Sequence, residues 1–392
     1  MHVRPIRLLV LTAAALLIAA GVRPVSGAGV KLAVPSDAWP TIQSALDALP
    51  DGGTVTVAAG VYPEALRLAS RSNVRLIGKN AIVDSDGADV ALELTGCQNP
   101  LVSGFVFRDA SKVGVLFSGC AGGVISKCRI EDQAGDGLRF EGCSGVVVSA
   151  CAFLNIAGDG LGGLPGTTGT RVTKCLFRNI GNHGIALFGS TDPGAAATTI
   201  SGNDLSGIAR HGIDTGGANF LVAKNRVADC GWDAIYAASF TVATSATVVT
   251  GNTTTGGQRG ILVSGDHCGV SKNRIGGAGY GIVTSGTDIL VSGNSVTDPG
   301  NGGVVAHGTG SRFEKTKVSG SGGAGFHFVG GANEVLGCSA SDCDGPGFLV
   351  ESTGNTFTGN KAAECAGYPA WDLTGAGNNT WTKNRFEVIY EP

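Results

Sequence analysis

The sequence predicts an all-β fold: a right-handed parallel β-helix of about 14 rungs with a short N-terminal capping helix, and three observations carry it. The first is composition. Gly accounts for 65 of 392 residues, Pro for only 13, and hydrophobic residues for 43%. Such a chain turns every few residues yet keeps enough apolar side chains for many short strands. The second is a phrase, a variable residue followed by Gly or Ala and then Ile or Leu. It returns at Asp136-Gly137-Leu138, Asp159-Gly160-Leu161, His183-Gly184-Ile185, His211-Gly212-Ile213, Asp233-Ala234-Ile235, Arg259-Gly260-Ile261 and Tyr280-Gly281-Ile282. The third is an upstream marker at Asn80, Phe105, Cys128, Cys151, Cys175, Asn203, Asn225, Asn252, Asn273, Asn294, Thr316, Cys338, Asn360 and Asn384, mostly 21 to 25 residues apart. Two markers that keep step over a dozen repeats identify a solenoid.

The period sets the architecture. A coil of this length holds about three short strands plus turns, and coils stacked about 4.8 Å apart bond each backbone group to the coil above or below. Asn at the same bend of successive coils can pass amide hydrogen bonds along the column, with Cys or Thr as small buried substitutes.

In chain order, Arg4 and Arg7 precede the apolar run Leu8 to Ala20, and small residues follow at Ser26-Gly27-Ala28. That run is too short to span a bilayer and fits a secretory signal over residues 1–27, which predicts a secreted or periplasmic protein without a membrane span in the mature chain. Residues 28–392 are expected to form a single β-helix domain. Ile42, Ala45, Leu46 and Leu49 have amphipathic helical spacing and end at Pro50, so a helix over about 41–49 is expected to cover the open apolar end of the stack. Thr54 to Val57 then alternates as a strand does. The formal charge of −3 and the lack of a Lys/Arg run give no sign of nucleic-acid binding.

Eleven cysteines in an exported chain would ordinarily suggest disulfides. Their spacing argues for buried columns instead: Cys97, Cys120 and Cys143 recur every 23 residues, and Cys128, Cys151 and Cys175 at 23 and 24. Stacked neighbours such as Cys343 and Cys365 could still be close enough to bond. Insertions fall at Gly162 to Gly169, Gly189 to Ala197 and Ala237 to Ala246, where they can wall a groove.

The variable slot carries the candidate chemistry. It holds Asp136, Asp159, His183, His211, Asp233, Arg259 and Tyr280, bounded by Val113 before and Gly302, Ala324, Pro346 and Pro369 after. A bend that tolerates Gly or Pro elsewhere has no structural need for His or Asp mid-rod, although both also suit such bends when they face water. Two residues beyond each Gly runs a second column, in which Asp214 and Tyr236 flank the middle of the first. His267, His307 and His327 fall outside this cluster and read as surface or satisfied residues.

The Thr41-Ile42-Gln43 helix, the strand Gly53-Thr54-Val55-Thr56-Val57 with Gly60-Val61-Tyr62 after it, and the Asn and Gly-Ile repeats resemble the pectin lyase-like β-helix superfamily across nearly all of the mature chain. The resemblance implies a fold shared by lyases, hydrolases, epimerases and non-enzymatic proteins. Two chemistries on an acidic polysaccharide fit. In a uronate lyase or C5-epimerase, His211 or His183 removes the C5 proton, Arg259 neutralises the carboxylate, and Tyr236 or Tyr280 donates the proton. In a hydrolase, Asp136, Asp159 and His183 resemble the polygalacturonase pattern, but Gly158 stands where that family has a second Asp. The Asp-Pro-His of mannuronan epimerases and the Trp-Ile-Asp-His of pectate lyases are both missing. Asp214 and Asp233 complete the cluster, Ca2+ is a candidate ligand near Asp136, Asp159 and Glu141, and a non-catalytic glycan- or surface-binding role remains open.

Overall fold

One coil explains the rest. Phe220–Ala223 and Arg226–Cys230 are strands joined at Asn225, and after a turn Ile235–Ala237 forms the third. Val222, Val227 and Ile235 point inward and are fully buried, while Arg226 faces solvent. Each strand pairs in parallel with its counterpart one coil on, as Val222 with Val249, Val227 with Thr254 and Ile235 with Ile261. Repetition of this unit makes a parallel β-helix.

The computed structural model describes residues 29–238, 243–386 and 389–391; the segment read as a secretory signal lies outside them. Among the described residues, the first two strands of the coils merge into a bent sheet of 28 strands, and the third strands form a sheet of 15. Fifteen exceeds the fourteen sequence markers because the first coil, carrying Leu66–Ala69, precedes Asn80. The capping helix spans Ile42–Asp47, with Ile42, Ala45 and Leu46 buried. Its N-terminus is closed by the Thr41–Ser44 capping box and by Glu64, whose carboxylate accepts the Ile42 and Gln43 amides at 2.9 Å each.

The Asn ladder forms as the spacing predicts. Asn203, Asn225, Asn252, Asn273 and Asn294 are buried, and each of the first four side-chain amides donates to the side-chain oxygen of the next Asn at 3.0 Å. A second ladder was not anticipated. Ser311, Asn333, Asn355 and Asn379 stand at another bend, where backbone amides donate to the next Asn at 2.8–3.0 Å. All eleven cysteines are free thiols, Cys343 and Cys365 included. Cys97, Cys120, Cys143, Cys128 and Cys151 donate to the preceding coil, as Cys143 Sγ does to Phe117 O at 3.2 Å.

Candidate functional site

The slot residues stand at the entry to the third strand of each coil. Glycine follows six of the seven, where the coils approach too closely for a side chain; only Asp233 is followed by a residue with a Cβ, Ala234. A Cβ at Gly184 would lie 2.5 Å from Gly212 O, and one at Gly160 would lie 2.6 Å from Gly184 O. Register then sets the second column: Asp214 pairs with Ala186 on one side and Tyr236 on the other. Beyond Tyr236 that column turns apolar, and Leu262, Val283 and Val305 form a small buried cluster with Ala238. The polar patch is therefore bounded on the sheet face as well as in the slots.

These side chains do not simply face water. Asp136, His211, Asp214 and Asp233 are all buried, Asp233 completely, whereas Tyr280 is exposed. Arginines close the two outer carboxylates. Asp136 Oδ2 accepts Arg139 Nε at 2.9 Å and its NH2 at 2.5 Å, while Oδ1 accepts the Asp159 amide at 2.9 Å. Asp233 accepts Arg259 Nε at 2.7 Å and its second arm at 2.8 Å.

The inner groups lack such clamps. Asp159 accepts Asn182 Nδ2 at 2.7 Å and the His183 amide at 3.0 Å, yet burial and the Asp136 charge push its carboxyl up to about 6. Burial, with Asp159 and Asp233 nearby, raises Asp214 to about 7. The His183 ring stacks on His211 at 5.2 Å, and His211 stacks on Tyr236 at 4.4 Å. Burial first, and neighbouring positive charge second, lowers His183 to about 4 and His211 to about 3, so both imidazoles are neutral at neutral pH. The Tyr236 phenol is raised, by burial and then by Asp214.

His211 Nδ1 is oriented from one side. It lies 3.3 Å from the Asp233 amide, which donates to it, and 3.4 Å from Asp233 Oδ2. His183 Nδ1 lies 3.8 Å from Asp214 Oδ2. The donor atoms of His183, His211 and Asp214 all lie within 4.8 Å of one another, close enough to hold a metal ion.

Of the nine candidate residues, His183, His211, Asp214, Asp233, Tyr236 and Arg259 come together, with Asp159 adjoining. Tyr280 pairs alongside Arg259 and lies against Gly302, facing solvent. Three expectations shift. Arg259 is committed to Asp233, which occupies the Nε–Nη2 edge of its guanidinium. The calcium set is met by an arginine, because Arg139 binds Asp136 and stands 4.0 Å from Glu141. At Gly158 a Cβ would lie 2.3 Å from Asp136 Oδ1 and 2.8 Å from Gly135 C, so this bend has no room for the second Asp of the polygalacturonase pattern.

Two residues were missed. The Arg210 guanidinium lies 4.9 Å over the Trp232 ring, whose edge meets His211 at 5.1 Å. Trp232 is 42% exposed, and Arg210 forms no ion pair among the described residues. Both precede their slots by one position, where Gly135, Gly158 and Gly279 stand on other coils; two consecutive bulky residues there were the available signal.

The family profile described as right handed beta helix region matches residues 62–194, 163–316 and 280–390. No curated protein sequence matches the chain. Among solved structures, the chain is similar to the catalytic domain of a GH87 alpha-1,3-glucanase in complex with nigerose, at 12% identity and TM-score 0.53, over 91% of this chain and 69% of that one. It is also similar to a tailspike protein of an E. coli bacteriophage in complex with a pentasaccharide, at 11% identity and TM-score 0.52, over 92% and 74% of the two chains. At these identities the likeness is one of fold.

Proposed function

We propose, for a chain that belongs to the right-handed β-helix family, that it acts on an acidic polysaccharide outside the cytoplasm as a uronate lyase or C5-epimerase. One observation carries the reading: His211 is oriented by Asp233, which Arg259 clamps, and stacks directly on Tyr236. A base and a proton donor side by side are what proton abstraction next to a carboxylate requires.

His211 takes the C5 proton through Nε2 in the tautomer protonated at Nδ1, whose proton turns from the Asp233 amide that Nδ1 otherwise accepts to Asp233 Oδ2, 3.4 Å away. The C–H electron pair passes into the uronate carboxylate, where positive charge lowers the cost of the developing dianion. Arg210, exposed and without an ion pair among the described residues, suits this role better than the committed Arg259. In elimination the C4–O4 bond then breaks, C4=C5 forms, and Tyr236 protonates the departing oxygen. In epimerisation His211 keeps the abstracted proton and the Tyr236 hydroxyl gives a different one to the opposite face of C5. The exposed Trp232 offers a flat apolar surface to a sugar ring. The sugar-bound structures to which this fold is similar and the leader-like residues 1–27 support a carbohydrate substrate met after export.

A hydrolase is the second reading, favoured by Asp159 and Asp214, the two carboxylates of the cluster without an arginine clamp. Incubation with alginate, pectate and polygalacturonate in deuterated water separates the classes. Ultraviolet absorbance of an unsaturated uronate marks a lyase, deuterium at C5 without chain cleavage an epimerase, and reducing ends alone a hydrolase. Binding of these polymers that persists unchanged in His211→Ala, with no product in any assay, would establish the non-catalytic alternative.

A further inference from the structure

Two buried polar atoms at the floor of the cluster have no hydrogen-bond partner: His183 Nδ1 and Asp214 Oδ1. They lie on adjacent coils, and the nearest approach between their side chains is 3.8 Å, from His183 Nδ1 to Asp214 Oδ2. Buried polar groups are ordinarily satisfied, and an unmet donor or acceptor calls for an explanation. Threonine hydroxyls, Arg71 Nε, His327 Nε2 and Trp371 Nε1 elsewhere also lack partners, but among the described residues none of those belongs to a group of three metal-ligating side chains. Here an imidazole lone pair and a carboxylate oxygen converge, and a second imidazole, that of His211, stacks beside the first.

We propose that His183, His211 and Asp214 form a binding site for a divalent transition-metal ion of the zinc class. This goes beyond the reaction proposed above and does not depend on it. Their donor atoms lie within 4.8 Å of one another, the one such group of three among the described residues. A tetrahedral ion with ligands about 2.0–2.2 Å away holds them roughly 3.4 Å apart, so the 3.8 Å pair is nearly in place and small side-chain rotations bring in the third. The donor set selects the ion. Two imidazoles and one carboxylate suit zinc, cobalt or nickel, whereas calcium takes six to eight oxygens.

The surroundings supply the outer support that such ligands need. His211 Nδ1, which accepts the Asp233 amide at 3.3 Å, also lies 3.4 Å from Asp233 Oδ2; the tautomer protonated at Nδ1 donates to that oxygen and presents Nε2 to the ion, and Arg259 fixes the Asp233 carboxylate. Three protein ligands leave a fourth position toward the groove. Occupancy engages the lone pairs that proton abstraction needs, so the ion silences the base rather than assisting it.

The test uses the full chain, stripped with chelator and without substrate, titrated with Zn2+ and with Co2+. One ion per chain is expected, with a visible cobalt spectrum of nitrogen and oxygen ligation. Asp214→Asn and His183→Gln, checked for native circular dichroism, are expected to weaken binding more than about tenfold, as is Asp233→Asn through its support of His211. Cysteine columns are the competing site, and thiolate-to-cobalt charge transfer in the near ultraviolet would assign the ion to them. That band, stoichiometric binding unchanged in both ligand variants, or no binding by the wild-type chain would each overturn the proposal. Zinc binding by a chain that processes no uronate would leave the site standing while removing the lyase reading.

Discussion

Arg259 closes the Nε–Nη2 edge of its guanidinium on the two oxygens of Asp233, at 2.7 and 2.8 Å, and the carboxylate it holds is completely buried. Removing the cation strands a charge in the interior, which costs about 3–5 kcal/mol when a buried pair is broken. Arg259 itself is one-third exposed, so the lower end of that range applies. Arg259→Ala is expected to lose about 3 kcal/mol in urea denaturation, and Arg259→Lys less, because one ammonium replaces one arm of the fork. A variant with an unchanged midpoint would mean that water already serves Asp233.

Tyr236 tests the chemistry without touching the fold. Its ring packs on His211 at 4.4 Å, and Tyr236→Phe keeps that stack while removing the hydroxyl. Loss of a positioned proton donor typically costs about 10²–10⁴-fold in rate. The expected result is a fall in kcat of that order, with KM and melting temperature little changed. Undiminished turnover would move the proton donor elsewhere, with the unclamped Asp214 next in line.

Asn252 tests the ladder. Its amide donates to Val222 O at 2.9 Å and to Asn273 Oδ1 at 3.0 Å, and its own oxygen accepts the Asn225 amide at 2.9 Å. Asn252→Ala leaves two backbone groups on the preceding coil, Val222 O and the Asn225 amide, without this partner, at about 1–3 kcal/mol each. Asn252→Thr should cost less, since Thr316 occupies the same column position and is fully buried. Equal destabilisation by both variants would argue that lost packing, not lost hydrogen bonding, sets the cost.

The coil was legible in the sequence because its constraints repeat. Gly184 and Gly212 are small for the same reason on successive coils, and Asn203 through Asn294 bond to one another, so each position is read several times. Seven slots were found in this way. What each slot does depends on single, unrepeated contacts, and these left no periodic trace. Nothing in the spacing distinguishes an Arg259 that meets a substrate from one folded back onto Asp233. Arg139, two residues past its Gly, likewise gave no sign that it would take the place of a cation at Asp136. Arg210 and Trp232 were passed over because they sit one step before the repeating phrase. The second ladder escaped because Ser311, Asn333, Asn355 and Asn379 cover only four coils at a bend outside the aligned marker.

The central cluster also sets a pH dependence of stability, in which carboxyls and imidazoles oppose each other. Asp214 rises from 3.8 to about 7 and Asp159 from 3.8 to about 6, both chiefly through burial. Over that range the unfolded chain has released protons that the folded chain still binds, so raising the pH favours unfolding. His183 falls from 6.5 to about 4 and His211 from 6.5 to about 3, again chiefly through burial. Between those values and 6.5 the unfolded chain binds protons that the folded one refuses, so lowering the pH favours unfolding. The two effects offset each other from about pH 4 to 6, and above 6.5 the carboxyl penalty stands alone. In chelated protein, Asp214→Asn is therefore expected to raise the melting temperature at about pH 8 and to lose that advantage below about pH 4, where the carboxyl is protonated in both states. His211→Gln should be more stable than the wild type relative to its own value at neutral pH when measured near pH 4.5. An Asp214→Asn variant no more stable than the wild type at high pH would show that the buried carboxylate has its charge met in the folded chain.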